Sequence, residues 1–289
     1  RLLEDHHRNI LKGFYSVFKG ADEHLQFVLL TGVTKFSQVS VFSGFNQPKD
    51  ISLDGRYEAL CGITEEELYH VFADAIERLG IKYKYTLEQI KEKLKKQYDG
   101  YHFSDELTDI YNPFSILNVF DSNRIADYWF STGTPTYLIR LLTHTQENLN
   151  ELTGKYYDPS QFIDYKADVE MPLPMIYQSG YLTIKDCDLD MGTFLLDFPN
   201  DEVKKGFVTL VANNYLQSEK DSGSWARDIV GALKTGDLEQ VRKLLTSFLA
   251  DIPYSMRRKE TERERERYFH YTFYLLMRMV SCYTVYTEK

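Results

Sequence analysis

The stretch Leu25-Gln-Phe-Val-Leu-Leu30 is followed directly by Thr31-Gly-Val-Thr-Lys35, and this junction decides the expected fold class. A short run that is almost wholly apolar is typical of a strand buried on both faces, as in a parallel α/β sheet. Polar residues just past the carboxyl end of such a strand lie where open α/β sheets bind ligands. The junction therefore predicts an α/β fold with a candidate site at Thr31, Thr34 and Lys35.

Helical patterns surround this stretch and make the predicted fold helix-rich. Apolar residues recur at three- and four-residue spacing between Leu2 and Lys19. Thr64-Glu-Glu-Glu is a capping-box start, and Pro113 after Asn112 suits the first turn of a helix. The further predicted helices are Thr64–Leu79, Thr86–Gln97, Trp225–Lys234, Leu238–Ala250 and Tyr268–Val280.

A change of pattern after Leu173 predicts a small module of a different kind. Tyr181–Lys185 and Thr193–Phe198 are predicted as two strands joined by the polar turn Asp186–Gly192. A capped helix begins at Pro199–Glu202. Helix, hairpin and helix in this order indicate a winged-helix-like module.

Composition limits the classes of function. The 289-residue chain is long enough for two domains with real cores. A net charge of −9 disfavours non-specific nucleic-acid binding by the chain as a whole, although a local basic patch stays compatible. Three scattered cysteines argue against a zinc site and indicate reduced thiols in a cytoplasmic protein. No apolar run reaches the roughly 20 residues of a membrane span, so we expect no membrane partner.

The Thr31–Lys35 segment has a catalytic and a structural interpretation. In a P-loop ATPase, a polar side chain at the tip of a central strand orients the attacking water or senses the γ-phosphate. Lys35 would then neutralise charge that develops on the phosphoryl group. Alternatively, the segment only caps a strand and begins a loop. The sequence contains no GxxxxGK[ST] motif, so the phosphate cradle itself is not in this chain.

Two other segments carry the same kind of ambiguity. Tyr98–His102 supplies Asp99 and His102 for acid–base chemistry, or it forms a structural turn in which Gly100 takes a positive φ. The alternate glutamates of Glu260–Glu266 suit a metal, or they form a solvated helix face paired with neighbouring arginines.

Several longer motifs resemble an AAA-ATPase-like family of bacterial proteins. They follow one another in order and span nearly the whole chain. The resemblance implies an N-terminal P-loop ATPase domain, a linking region and a C-terminal domain similar to PD-(D/E)XK nucleases. The motifs lie at Leu29–Ser37, Leu60–Leu68, Tyr98–Phe103, Tyr111–Ser115, Tyr128–Pro135, Tyr177–Ile184 and Phe198–Val203.

This chain resembles the middle of that arrangement. Residues 1–120 would be the C-terminal part of the ATPase domain, with a partial P-loop ATPase sheet. Residues 121–222 would form the helical and winged-helix-like linking region, which ends in a linker at Ser222-Gly-Ser224. Residues 223–289 would begin the nuclease-like α/β domain. We expect the Walker A and Walker B motifs before Arg1 and the nuclease core after Lys289.

Few site residues carry over from the resemblance. Thr31, Thr34 and Lys35 match the segment after the fourth sheet strand, which implies a sensor-type role. Glu266 matches the helix acid that assists the nuclease metal. ATP and Mg²⁺ are implied for the full-length protein, with neither bound tightly by this chain.

The implied function is ATP binding coupled to metal-dependent nucleic-acid processing in the full-length protein, with this chain inactive alone. The alternative is a non-enzymatic interaction or regulatory module, in which the winged-helix-like region docks a partner or DNA. The basic stripe that would favour the alternative consists of Lys204, Lys205, Arg257, Arg258 and Lys259.

Overall fold

A computed structural model of the chain describes residues 2–32, 49–129, 152–163, 172–216 and 222–251, with 266, 270, 272–274 and 276–277. The chain divides into two compact units. The first comprises Arg1–Ala126 and Leu149–Asn200, and the second comprises Asp127–Asn148 and Asp201–Lys289. Helices dominate and two small antiparallel sheets accompany them, which confirms the predicted mixed, helix-rich α/β class.

The described elements are as follows. The helices of the first unit are α1 (Leu2–Gly20), α2 (Glu65–Val71), α3 (Ala73–Tyr83), α4 (Leu87–Tyr98), α5 (Pro113–Ser122) and α6 (Leu173–Gln178). Its strands are β1 (Ile63–Thr64), β2 (Ile110–Tyr111), β3 (Lys155–Tyr157), β4 (Thr183–Asp188) and β5 (Thr193–Asp197). The helices of the second unit are α7 (Asp201–Leu216), α8 (Ser222–Thr235) and α9 (Leu238–Asp251), and the isolated described residues from 266 to 277 are also helical.

The starts of α2 and α4 are set by local side-chain bonds. The Thr64 hydroxyl accepts from the Glu67 N–H, and the Glu67 carboxylate accepts from the Thr64 N–H. Thr86 and Gln89 repeat the arrangement at α4. These reciprocal bonds satisfy N–H groups that have no partner within the helix. The predicted helix starts are therefore confirmed.

The structure divides one of the predicted helices into two. The pattern over Thr64–Leu79 breaks at Phe72, whose backbone leaves the helical region at φ −110° and ψ 21°. Its ring stacks on Phe120 of α5, with the ring centroids 5.1 Å apart. Aromatic packing of this kind is a tertiary contact that a periodic pattern does not encode.

The predicted hairpin is confirmed, with an addition. β4 and β5 pair antiparallel, and β4 begins two residues later than expected. A third strand, β3, pairs with the other side of β5 and gives the order β3-β5-β4. β1 and β2 form the other sheet, with Ile63 opposite Tyr111. The winged-helix-like description of this region stays a prediction.

The first unit has apolar side chains buried beside both sheets. Around β1 and β2 the core includes Leu68, Leu79, Ile90, Leu94 and Ile116, all fully buried. Around the three-stranded sheet, the Phe162 ring packs edge-on against Tyr177 at 4.6 Å between centroids. Burial of such side chains stabilises a fold by about 1.5–3 kcal/mol each.

In the second unit, α8 and α9 form a helical hairpin. The Trp225 indole packs on Phe248 and its N–H donates to the Leu244 carbonyl at 3.1 Å. Gly236 makes the turn between the helices with φ +71°. The linker predicted at Ser222-Gly-Ser224 is wrong, because α8 already begins at Ser222. Trp225 is buried in the first turn of α8, and the polar residues just before it are part of the same helix.

The strand predicted at Leu25–Leu30 is also wrong. Residues 25–32 are irregular, and the Phe27 side chain is 80% exposed. A strand buried on both faces needs hydrogen-bonding neighbours. No described residue lies in a strand that pairs with this segment. Within the described residues, every helix is too short or too polar to cross a membrane.

Gly100 is a glycine at which both the backbone conformation and the surroundings exclude a side chain. Its φ is +89°, and an added Cβ would lie 2.5 Å from the Pro199 carbonyl oxygen and 2.8 Å from Lys185 Nζ. Gly192 also has a positive φ, +65°, but an added Cβ there meets nothing within 4 Å. We expect Gly100→Ala to lower the free energy of unfolding by about 1–3 kcal/mol more than Gly192→Ala, because both variants share the backbone strain and only the first adds the clash. Urea denaturation of the two variants measures the difference, and equal losses would contradict the assigned backbone path.

Candidate functional site

The C-terminal end of α4 collects charged side chains from three elements. Lys95 and Asp99 lie one turn apart at this end. Glu65 comes from the first turn of α2, which the Thr64 cap fixes next to β1. Asp109 immediately precedes β2. Pairing of β1 with β2 therefore brings α2 and Asp109 to the same place.

Lys95 lies among the three carboxylates. Its Nζ is 2.8 Å from Glu65 Oε2, 2.9 Å from Asp109 Oδ2 and 3.5 Å from Asp99 Oδ2. The first two are charge-assisted hydrogen bonds, and they raise the pKa of Lys95. The third is an ion-pair distance, longer than a hydrogen bond of normal strength.

Asp99 is the buried member of the group. Its side chain is 1% exposed, and neither carboxylate oxygen makes a hydrogen bond with a described residue. Burial raises the pKa of Asp99 to about 6, and the negative charge of Asp109 adds to the rise. The Gly100 N–H and the Lys95 ammonium act in the opposite direction. Asp99 thus holds a proton more readily than a carboxylate in water.

His102 has both ring nitrogens engaged. Nδ1 lies 2.7 Å from the Ile184 carbonyl oxygen, and Nε2 lies 2.8 Å from Asp109 Oδ1. Both partners are acceptors, so both nitrogens must carry a proton for both bonds to form. Burial acts to raise the pKa of Asp109, but bonds from Lys95 and His102 outweigh it and hold that pKa below its usual range. His102 therefore has no free nitrogen with which to take a proton from a substrate.

The turn that carries Asp99 and His102 is tied to β4 and to the end of β5. The Thr183 hydroxyl accepts from the His102 N–H and donates to the His102 carbonyl, each at 2.8 Å. Lys185 Nζ donates to the Gly100 and Pro199 carbonyls at 2.6 and 2.9 Å. Burial lowers the pKa of Lys185, while nearby aspartates oppose that shift. With Gly100 at positive φ, these bonds favour the structural interpretation of Tyr98–His102.

Tyr111 closes the buried side of the group. Its hydroxyl is buried and makes no hydrogen bond with a described residue. Burial raises its pKa, an interaction with the Tyr69 hydroxyl raises it further, and the charges of Asp99 and Glu65 add to the rise. Asp99 and Tyr111 are thus two buried polar groups whose hydrogen-bonding capacity is only partly used, which is uncommon in folded proteins.

Of the residues singled out from sequence as a sensor or metal site, the two that the structure describes, Thr31 and Glu266, are not part of this group. Thr31 is exposed in the irregular segment after α1, and Thr34 and Lys35 are outside the described residues. Glu266 is helical and exposed and belongs to the second unit. The glutamates at 260, 262 and 264 are also outside the described residues.

Sequence reasoning missed the grouping of Glu65, Lys95 and Asp109. The spacing of Lys95 and Asp99 was a visible signal, because residues four apart share one helix face. The other two members lie 30 and 14 residues from Lys95 along the chain. The pairing of β1 with β2, which no local pattern announces, brings them together.

Comparison with known proteins indicates the class. The model of a family described as "Predicted AAA-ATPase" matches residues 2–42, so this part of the chain is similar to that family of ATP-binding proteins. An uncharacterized protein encoded in the vnfD 5′ region of Azotobacter chroococcum mcd 1 is 32% identical over 269 residues. The match covers 92% of this chain and 50% of that relative, so the chain spans about half the relative's length. No solved structure matches the chain.

The burial of Asp99 makes stability depend on pH in a defined direction. The pKa is about 6 in the folded chain and about 3.9 when unfolded, so between these values the folded state binds the extra proton. We expect the free energy of unfolding to fall as pH rises from about 4 to about 6, by at most about 3 kcal/mol.

Urea denaturation of wild type and Asp99→Asn measures the contribution of Asp99 to the free energy of unfolding. The measurements are made across this pH window in a buffer that contains a chelator. The asparagine variant should lack this part of the slope, whereas Asp105→Asn, at an exposed neighbouring carboxylate, should keep it. Identical slopes for wild type and Asp99→Asn would contradict the assignment.

Proposed function

We propose that this chain is part of an ATP-binding protein of the AAA-ATPase-like kind, and that α1 packs against its nucleotide-binding domain. The proposal is based on two features that fall on the same residues, the family match and an exposed apolar helix. The residues matched by the family model, 2–42, include the helix whose apolar side chains are the most openly exposed of the first unit's long helices.

The exposed apolar side chains of α1 lie on one side of the helix. We define the α1 apolar face as Ile10, Leu11, Phe14 and Val17, whose exposed fractions run from 39 to 65%. Their spacing places them together, as on helices that pack against a core. An exposed apolar face of this kind marks an interaction site more often than a free surface. Leu29 and Leu30, 53 and 38% exposed, add apolar surface in the segment that follows.

A nucleotide-binding domain is the occupant that the family match supports. In this proposal Thr31, Thr34 and Lys35 lie near the γ-phosphate as sensor-type residues, and the ATP and Mg²⁺ are held by that domain. Lys35 would stabilise charge developing on the transferred phosphoryl group. The chain alone is then expected to bind ATP weakly and to hydrolyse none.

Charge placed on the α1 apolar face tests the packing. We expect Phe14→Glu to lower ATP hydrolysis by the full-length protein about tenfold, because it buries an unpaired carboxylate in place of an apolar ring. Lys12→Glu, on the opposite side of α1, is the matched control and should keep wild-type activity. Hydrolysis measured by phosphate release at saturating ATP, with both variants folded by circular dichroism, gives the answer. Equal ATP hydrolysis by the two variants would contradict the proposed packing of α1 against the nucleotide-binding domain.

The finer proposal is that the full-length protein also cleaves nucleic acid through a nuclease-like C-terminal domain. Its supports are the resemblance of residues 223–289 and the placement of Glu266. Glu266 and His270 are exposed, whereas Thr272, Tyr274 and Leu276 of the same helical stretch are buried. An acid on the open side of a helix can help to hold a catalytic Mg²⁺.

Glu266→Gln should reduce Mg²⁺-dependent DNA cleavage by the full-length protein about 10- to 100-fold. Glu239→Gln, at an exposed acid of α9, is the control and should cleave at the wild-type rate. A gel-based assay with and without Mg²⁺ reads the result. If the wild-type protein leaves DNA intact while still hydrolysing ATP, the nuclease proposal fails and the ATP-binding proposal stands.

The alternative function, a non-enzymatic docking module, has less support in the described residues. Of the predicted basic stripe, Lys205 forms an ion pair with Asp127, and residues 257–259 lie outside the described part. A cation already paired is less available to a phosphate. Salt-dependent binding of duplex DNA by the chain alone would nevertheless revive this alternative.

A further inference from the structure

The carboxylates of Glu65, Asp99 and Asp109 surround a common centre. The chain neutralises their negative charge only in part. One oxygen from each residue lies within 4.8 Å of the others. Two oxygens bound to a single Ca²⁺ lie up to about 5 Å apart, because each bond is about 2.3–2.6 Å long. The three carboxylates are therefore spaced for one hard cation.

Lys95 fills this centre incompletely. Its ammonium makes two hydrogen bonds, to Glu65 and Asp109, and stays 3.5 Å from Asp99. The buried Asp99 carboxylate is left without a hydrogen bond although it is the member with least access to water. A buried carboxylate that is compensated only by this longer ion pair is costly, and a further partner would reduce that cost.

Tyr111 lies beside the group. Its hydroxyl is fully buried and has no hydrogen bond of normal geometry with a described residue, although it interacts with the Tyr69 hydroxyl and with the charges of Asp99 and Glu65. A hard divalent ion keeps several water ligands, and those waters would bond to the Tyr111 hydroxyl and the second Asp99 oxygen. One hydrated ion would thus give both groups a further hydrogen-bonding partner.

Charge and access agree with this occupant. A divalent ion in place of the Lys95 ammonium would offset more of the negative charge of the three carboxylates. The side chains of Glu65, Lys95 and Asp109 are 42, 45 and 37% exposed, so the rim is open to solvent. Lys95 has a long, flexible side chain and can turn outward into that solvent.

We propose that this group is a binding site for a hard divalent cation of the Mg²⁺ and Ca²⁺ class, which takes the place of the Lys95 ammonium. Glu65, Asp99 and Asp109 are the protein ligands. The ion links α2, the end of α4 and the residue before β2, and its binding releases Lys95. None of its ligands is a residue that the proposed function assigns to the nucleotide or to the nuclease metal.

Calorimetric titration of the 289-residue chain with CaCl₂ and with MgCl₂ tests the proposal. Wild type should bind one ion. Lys95→Met should bind it about fivefold more tightly, because the competing ammonium is gone. Asp99→Asn should lose the binding, and Glu65→Gln serves in its place if that variant does not fold. Lys93→Met, at an exposed lysine of the same helix, is the control and should match wild type.

Three results would overturn the site. Absence of binding to both wild type and Lys95→Met up to about 10 mM metal, a decade above the weakest functional Ca²⁺ sites, is the first. Binding to Lys95→Met alone is the second, because Lys95 would then hold the centre permanently in the native chain. Unchanged affinity in folded Asp99→Asn or Glu65→Gln is the third, because the ion would then lie elsewhere.

Discussion

The path of the backbone at Gly100 is a constraint on which the link between the charged group and the three-stranded sheet depends. With φ at +89°, the chain passes so close to the Pro199 carbonyl and to Lys185 that no side chain fits there. Asp99 before it turns into the charged group beside Lys95, while His102 after it reaches the Ile184 carbonyl on β4. One turn thus connects the end of α4 to the three-stranded sheet, and Lys185 holds it by bonding both carbonyls.

The charged group is a balance between burial and pairing. Glu65 and Asp109 keep contact with solvent and have a direct bond to Lys95, whereas Asp99 is buried and has only a longer ion pair. Burial without a hydrogen bond destabilises the charged form, and this is why the pKa of Asp99 rises while that of Asp109 falls. A buried carboxylate of this kind does not add stability by itself. The proposed ion site would account for its presence.

Local features of the fold were readable from sequence, and features that depend on distant contacts were not. The caps at Thr64 and Thr86 and the hairpin of β4 and β5 involve residues close in the chain, where propensity and side-chain bonds decide. The β1–β2 pair joins segments almost fifty residues apart, and the charged group depends on that pair. The segment Leu25–Leu30 was misjudged because an apolar run signals a need for burial without saying which surface meets it. The sensor-type prediction for Thr31, Thr34 and Lys35 began from that same run, so its support now comes from the family match.

Comparison of α1 with α4 separates the proposed ATP-binding role from the proposed ion site. Both helices carry apolar residues at three- and four-residue spacing, yet α4 buries Ile90, Leu94 and Tyr98 completely while α1 leaves Phe14 and Val17 mostly exposed. Since the periodic pattern is shared, the difference lies in the neighbours that each helix has. The family match includes α1, whose described side chains are mostly exposed, and the charged group lies at the end of α4, whose apolar side chains are buried. The proposed ATP-binding role therefore depends on what covers α1, whereas the proposed ion site is formed by residues of the first unit alone.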